Sequence, residues 1–545
     1  MQRALMALTL ALLVAAPAAS LPAHAVAGSR VIAVRYPVAV VLYDPGGVLG
    51  GLVGRHAAVN VSLEVGGYKV VYMFNVTYVE APGWADEELA GWLRLHGVEA
   101  PAPAWAQGCP GVGGRAVRVE LGPYYGFLAN LTASVARGLG LEPRWSVAVV
   151  ALPGARVLWD ASPYPWVKGL MLRLEGVRAY TGWERLTILD LGAVQARHPG
   201  YPMPFASRYP PVSCFTDPVL GALENPAGYV EGFVERLLAY QLANLLDSAE
   251  PWYAGRLTVD IYVVDYGGNL TGLLWSLDTG EVERLLSLLD PWVEPRVRLH
   301  VVGPREAPWG PTLNTTVDAE GHTVVDLEMN PRLVKTLEEL SRREACSGAA
   351  RECRVSFYWL LLPGDAYLTL GWWLNFTGLD LGAAAVATFP GYHGRVLRGG
   401  AARTVAHEAG HAMGLPHPFQ RGSRVYWLLD YAYTVMSYCD SVLAAAPRDA
   451  AMTVDADKLA LLHSLALLPA HEDGAAGKAL KLLEEARFDE ALWALLEARA
   501  AGHSGRSAVG AVGQPGWLLE LVVLAVLVLV ALLVSLALVT EGWRR

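Results

Sequence analysis

Residues 406–418 read AHEAGHAMGLPHP. No other stretch constrains the chain as tightly. Its first half is small and apolar apart from His407, Glu408 and His411, which is a helical pattern. Positions i and i+4 share one face of a helix, so His407 and His411 stand side by side, one turn apart. Gly414 is the expected stop, because glycine enters the left-handed conformation that closes a helix at low cost. Leu415-Pro416 then turns the chain and Pro418 keeps the helix from resuming, so His417 swings back toward the other two imidazoles. Three protein nitrogens leave a fourth tetrahedral position open, the catalytic rather than the structural arrangement for zinc. Glu408 lies beside the ligand face and can reach an attacking water without taking a coordination position. The expected metal ligands are therefore His407, His411 and His417, the expected cofactor is Zn2+, and Glu408 is the expected catalytic base.

Around this stretch the chain alternates strand-like and helical runs. RVIAVRYPVAVVLY (30–43), GYKVVYMFNVTYV (67–79) and WSVAVVAL (145–152) carry the β-branched and aromatic residues of strands, with one helix expected over 124–138. This gives a β-rich N-terminal region over 26–180, a pro-domain or a substrate-binding module. From 181 to about 450, strand-like LTILDLGAV (186–194), LTVDIYVVDY (257–266), RVRLHVV (296–302), VSFYWLLL (355–362) and GAAAVATF (382–389) are interspersed with helical runs at 228–247 and 281–289. The fold class expected is α+β, a twisted mixed sheet with a late active-site helix. Residues 451–501 read as a helical stalk, in which Asp455 and Asp457 serve as helix-capping residues, and 502–516 as a Gly/Ser-rich linker.

The two ends point to export. Arg3, an apolar run and Ala23-His24-Ala25 have the form of a signal peptide over 1–25. Leu521–Val539 is uncharged over nearly the length a bilayer core requires, about 20 residues. With Trp517 and Trp543 flanking it and Arg544-Arg545 after it, the expectation is a transmembrane helix over 517–539 and a cytoplasmic tail over 540–545. That makes a single-pass type I protein of the cell membrane with its catalytic part outside. Six of the nine asparagines, Asn60, Asn75, Asn130, Asn269, Asn314 and Asn375, stand in N-x-Ser/Thr, the acceptor pattern of a glycoprotein. Of the five cysteines, Cys346 and Cys353 close a short loop and form the easiest disulfide to propose. The formal net charge of -9, without a Lys/Arg run, argues against a nucleic-acid partner.

HEAGHAMGLPH (407–417) resembles the H-E-x-x-H-x-x-G-x-x-H signature of the metzincin zinc peptidases. TVMSYCD (434–440) resembles their Met-turn, with Met436 as the turn methionine. The resemblance implies peptide hydrolysis on a protein or peptide substrate, with Glu408 moving the proton and zinc supplying Lewis acidity. It implies that Tyr438 donates to the oxyanion, as in the astacin-like and serralysin-like branches, and that the strand before the helix, 382–389, is an edge strand that holds substrate by β-augmentation. Cys109 is open to two readings, a thiolate that silences the metal or half of a disulfide. The function expected is a membrane-anchored extracellular zinc endopeptidase. The rivals are a narrow processing peptidase and an envelope structural or adhesion protein with a vestigial site.

Overall fold

The computed structural model describes residues 30–101, 114–159, 179–181, 185–193, 224–246, 249–319, 321–344, 346, 348, 352–364, 366–369, 375–376, 378–380, 384–389, 400–417, 420–421, 424–425, 435–436, 453–469 and 474–503. The chain divides into two compact units, Met1–Leu495 and Leu496–Arg545. In the second unit the described residues are the end of one helix.

The first unit opens with β1 (Arg30–Tyr43), the hairpin β2 (His56–Val65) and β3 (Tyr68–Glu80), and helix α1 (Gly83–His96). Two short strands, β4 (Val98–Pro101) and β5 (Arg115–Glu120), lead to α2 (Leu121–Gly138), β6 (Trp145–Val150), β7 (Arg156–Trp159), β8 (Ala179–Thr181) and β9 (Leu186–Asp190). Six of these strands form one sheet in the order β2-β3-β1-β6-β9-β8. The four central strands are parallel and the two edge strands antiparallel. The sequence of β1 shows why it sits at the centre. RVIAVRY alternates between buried and accessible residues, whereas VAVVLY is buried throughout, as a strand covered on both faces must be. Helices α1 and α2 cover one of these faces, packing Leu89, Tyr124 and Leu128 on Val41, Ala148 and Ile188. At the end of β9, Asp190 forms a fully buried ion pair with Arg156 at 2.5 Å and accepts a hydrogen bond from Tyr124.

Helix α3 (Pro226–Arg236) widens at its end into a π-helical turn, Leu237–Leu242. A second sheet follows. Its strands are β10 (Arg256–Asp265) and, after α4 (Leu270–Ser276) and α5 (Thr279–Leu289), β11 (Glu294–Val302). The small strands β12 (Thr316–Val317) and β13 (Thr323–Asp326) and helix α6 (Pro331–Glu344) precede β14 (Glu352–Leu361). Then come β15 (Ala366–Thr369), β16 (Asn375–Phe376), β17 (Gly378–Asp380), β18 (Ala384–Phe389) and α7 (Gly400–Ala412). The order in the second sheet is β11-β10-β14-β18-β17, parallel except for the antiparallel edge strand β17. Helix α7 packs on α5 and beside β14 and β17. After β19 (Gln420–Arg421) and β20 (Arg424–Val425), helices α8 (Thr453–Leu467), α9 (Ala475–Glu484) and α10 (Phe488–His503) complete the chain.

Several expectations are corrected. The fold class is mixed α/β with several sheets, not α+β. Strands such as β9, β14 and β18 are buried on both faces, so both sides must be covered, and strand and helix alternate along the chain. β9, grouped by pattern with the later region, belongs to the first sheet. The strand before α7 is not the edge of its sheet: β18 lies between β14 and β17, and β17 forms the edge. Among the described residues no helix is long and apolar enough to cross a membrane. Helix α8, Thr453–Leu467, is packed inside the first unit, so its apolar side chains are used in the core. The expected transmembrane helix and the cell-membrane location built on it are therefore not retained; residues 1–25 and 504–545 lie outside the described residues. Asp455 and Asp457 are not caps. Both lie within α8, Asp455 buried against Lys458 and Asp457 half-buried against Arg185 at 2.8 Å.

Candidate metal centre

Helix α7 brings His407 and His411 onto one face, both buried. It ends as the sequence predicts. Gly414 has φ +101°, its N–H donates to the His411 carbonyl at 2.9 Å, and the Leu415 N–H reaches back to the Gly410 carbonyl at 3.0 Å. This pair of bonds is a Schellman turn. The turn also does something for the site. The Leu415 carbonyl, aimed back at the helix, accepts a hydrogen bond from His411 Nδ1 at 2.7 Å. His407 Nδ1 donates in the same way to the Val435 carbonyl, also at 2.7 Å. A carbonyl can only accept, so the proton of each ring sits on Nδ1 and each Nε2 keeps its lone pair.

The three Nε2 atoms of His407, His411 and His417 lie 3.2 Å from one another in every pairing. Two lone pairs cannot hydrogen-bond each other, so for His407 and His411 this approach is not a hydrogen bond but an arrangement that could hold a cation. A tetrahedral ion with metal–nitrogen bonds of about 2.0–2.1 Å needs ligand nitrogens about 3.3 Å apart, and the triad fits it. Among the described residues this is the one cluster of three His, Cys, Asp or Glu side chains close enough to hold a metal ion. Burial keeps two of the imidazoles neutral. It drives His407 down to about 3, with help from His411 and Arg403 and against the Val435 carbonyl, and drives His411 down to about 4 against the Leu415 carbonyl. Both ligands therefore stay deprotonated through the neutral range. Glu408 is also buried, and burial pushes its carboxyl up to about 8.

Val435 and Met436 form a fully buried turn against α7. The Met436 sulfur fills the space over Gly410, where a β-carbon would overlap it. Tyr438, Cys109, Cys214 and Cys439 lie outside the described residues. Cys346 and Cys353 are disulfide-bonded, as their spacing predicts, with Cα atoms 5.1 Å apart. The acceptor asparagines Asn60, Asn75, Asn130, Asn269 and Asn314 are all exposed.

Sequence reasoning missed the groups that hold the triad from a distance. Asn244 Nδ2 donates to the His417 carbonyl, the Leu246 N–H donates to the Gly414 carbonyl at 3.0 Å, and Trp252 Nε1 donates to the Met413 carbonyl at 3.1 Å. No local pattern marks these residues. Asn225, Asn269 and Asn330 look the same in sequence, yet they cap α3 and α4 or tie a loop.

Compared with known protein families and with curated proteins, the chain matches none.

Proposed function

We propose that the chain is a zinc-dependent endopeptidase of the metzincin type. The observation that carries this reading is the convergence of three Nε2 atoms at 3.2 Å spacing with Glu408 buried beside them. A site kept only for structure closes its fourth position with a protein ligand and has no use for a buried carboxyl next to it. His407, His411 and His417 would hold the ion, and three imidazoles suit zinc. A bound zinc supplies Lewis acidity to an attacking water and to the scissile carbonyl. Glu408 takes a proton from that water and delivers it to the departing amine nitrogen. Burial raises the Glu408 carboxyl, and a cation held by the three imidazoles would lower it again, leaving a carboxylate that could accept the proton. The carbonyls of Val435 and Leu415 fix the two helical imidazoles and raise their basicity. Edge strand β17 is paired on one side only among the described residues, which leaves main-chain groups for an extended peptide.

The test is cleavage of an unfolded protein by the purified chain beside Glu408→Gln. Wild type is expected to cleave and to lose activity to a chelator. Glu408→Gln should keep its zinc and lose at least about 100-fold in rate. Equal cleavage by both proteins, or none by a zinc-loaded wild type, would sink the endopeptidase reading.

A further inference from the structure

We infer that the first sheet is a working part of the metal centre. It anchors residues 241–246 and 249–253, and through Asn244 they position the third ligand, His417. The inference rests on the triad being a metal site.

The anchoring is visible at both ends of the segment. The π-helical turn presents Gln241, fully buried, to the first sheet. A chain of hydrogen bonds runs there from Trp145 Nε1 to Thr187 Oγ1, from Thr187 to Thr181 Oγ1, and from Thr181 to Gln241 Oε1, at 2.9, 3.1 and 3.1 Å. Its direction is fixed, because an indole N–H only donates and an amide oxygen only accepts. At the far end Pro251 presses on Gly66, the turn of the β2–β3 hairpin, where φ is +55° and a β-carbon would overlap the proline ring. His463 of α8 braces the same end. It is fully buried, donates from Nδ1 to the Trp252 carbonyl at 2.6 Å, and bonds Asp290 through Nε2 at 2.8 Å.

Between these anchors the segment grips the exit of α7. Trp252 holds the Met413 carbonyl, Leu246 holds the Gly414 carbonyl, and Asn244, 1 % exposed, holds the His417 carbonyl at 3.3 Å. His407 and His411 need no such help, since α7 and two carbonyls fix them. His417 lies past the helix on a chain with no regular structure. Without an external hold, its backbone would have to be ordered when metal binds, at the expense of affinity. Asn244 does that ordering beforehand, and the first sheet keeps Asn244 in place. The N-terminal region is therefore a support for the site, not a removable inhibitory segment.

The test measures zinc affinity of the full chain by competition with a chromogenic chelator, with the fold checked by circular dichroism. Asn244→Leu keeps the approximate size and removes the donor. It should weaken zinc binding about tenfold, and Thr181→Val, at the first-sheet end, should weaken it by a smaller factor. Combined with His417→Ala, Asn244→Leu should cost nothing more, because a group acting through His417 has nothing left to position. Wild-type affinity in Asn244→Leu, or the same loss with and without His417, would overturn the positioning role. Unchanged affinity in Thr181→Val would overturn the link to the first sheet. A wild type that binds no zinc would overturn the metal-site reading as well, so the two failures are distinguishable.

Discussion

Gly410 stands between the two helical ligands, and its missing side chain is part of the site. The buried sulfur of Met436 occupies the space that a β-carbon would need. Val435, the neighbour of Met436, carries the carbonyl that orients His407. Gly410→Ala must therefore move the turn, and the turn must take its carbonyl with it. The expected result is a loss of about 1–3 kcal/mol of stability from overpacking and about tenfold in zinc affinity, read by thermal unfolding and chelator competition. Stability and affinity both unchanged would mean that Met436 repacks without moving Val435. At this scale the sequence is informative where the chemistry is local. His407, Glu408, His411, Gly414 and His417 are brought together by helix geometry and one turn, all within a single short stretch. The constraint on Gly410 comes from Met436, and the hold on His417 comes from Asn244. Neither partner is near in sequence, and no local pattern points to them.

Helix α1 shows how competing effects are settled within one element. Asp86 lies in its first turn, where the helix dipole favours a carboxylate. Burial opposes ionisation there, and Glu80 and Asp44 add like charge; together they outweigh the dipole and push the carboxyl up to about 6. Its Oδ1 is buried without a hydrogen-bond partner. The folded chain thus holds a proton that the unfolded chain releases near pH 4. Stability falls as pH rises from about 4 through about 6, and the loss is complete above that. Asp86→Asn should leave stability unchanged at pH 4 and raise it at pH 7 by about 1 kcal/mol, well under the full value of the shift because the group is partly in solvent. Denaturant unfolding at the two pH values reads this directly, and an equal gain at both would refute it. Element identity was legible for the same local reasons. The β-branched runs became β1, β3, β10 and β14, and α5 lies where its spacing put it. Pairing was not legible. Nothing in LTILD says that β9 joins β6 rather than the later strands, because partner choice depends on what covers both faces. Asp457 reads as a cap until Arg185, from a distant loop, appears beside it.

Across the first unit, the candidate metal centre is where separately formed parts meet. α7 supplies two of the converging imidazoles and the chain after its glycine stop supplies the third. The segment before β10 fastens that chain to the first sheet, and His463 fastens the same segment to α8. All of these lie in the single compact unit Met1–Leu495. A metal held at such a junction stabilises the whole unit, because unfolding any one part releases a ligand. Stabilisation by a ligand that binds only the folded chain is about 2.7 kcal/mol at a free concentration 100 times its dissociation constant. For a unit of this size that corresponds to about 2–3 °C in Tm. Zinc removal by a chelator should therefore lower the Tm of the wild type by about that much in a single cooperative transition. The same treatment should leave His407→Ala, which binds weakly or not at all, almost unmoved. A wild-type transition that splits in two on chelation would show instead that the sheets unfold separately and that the ion stabilises only the second. That result would contradict the coupling through Gln241 and Asn244, while a shift equal in wild type and His407→Ala would place the metal elsewhere.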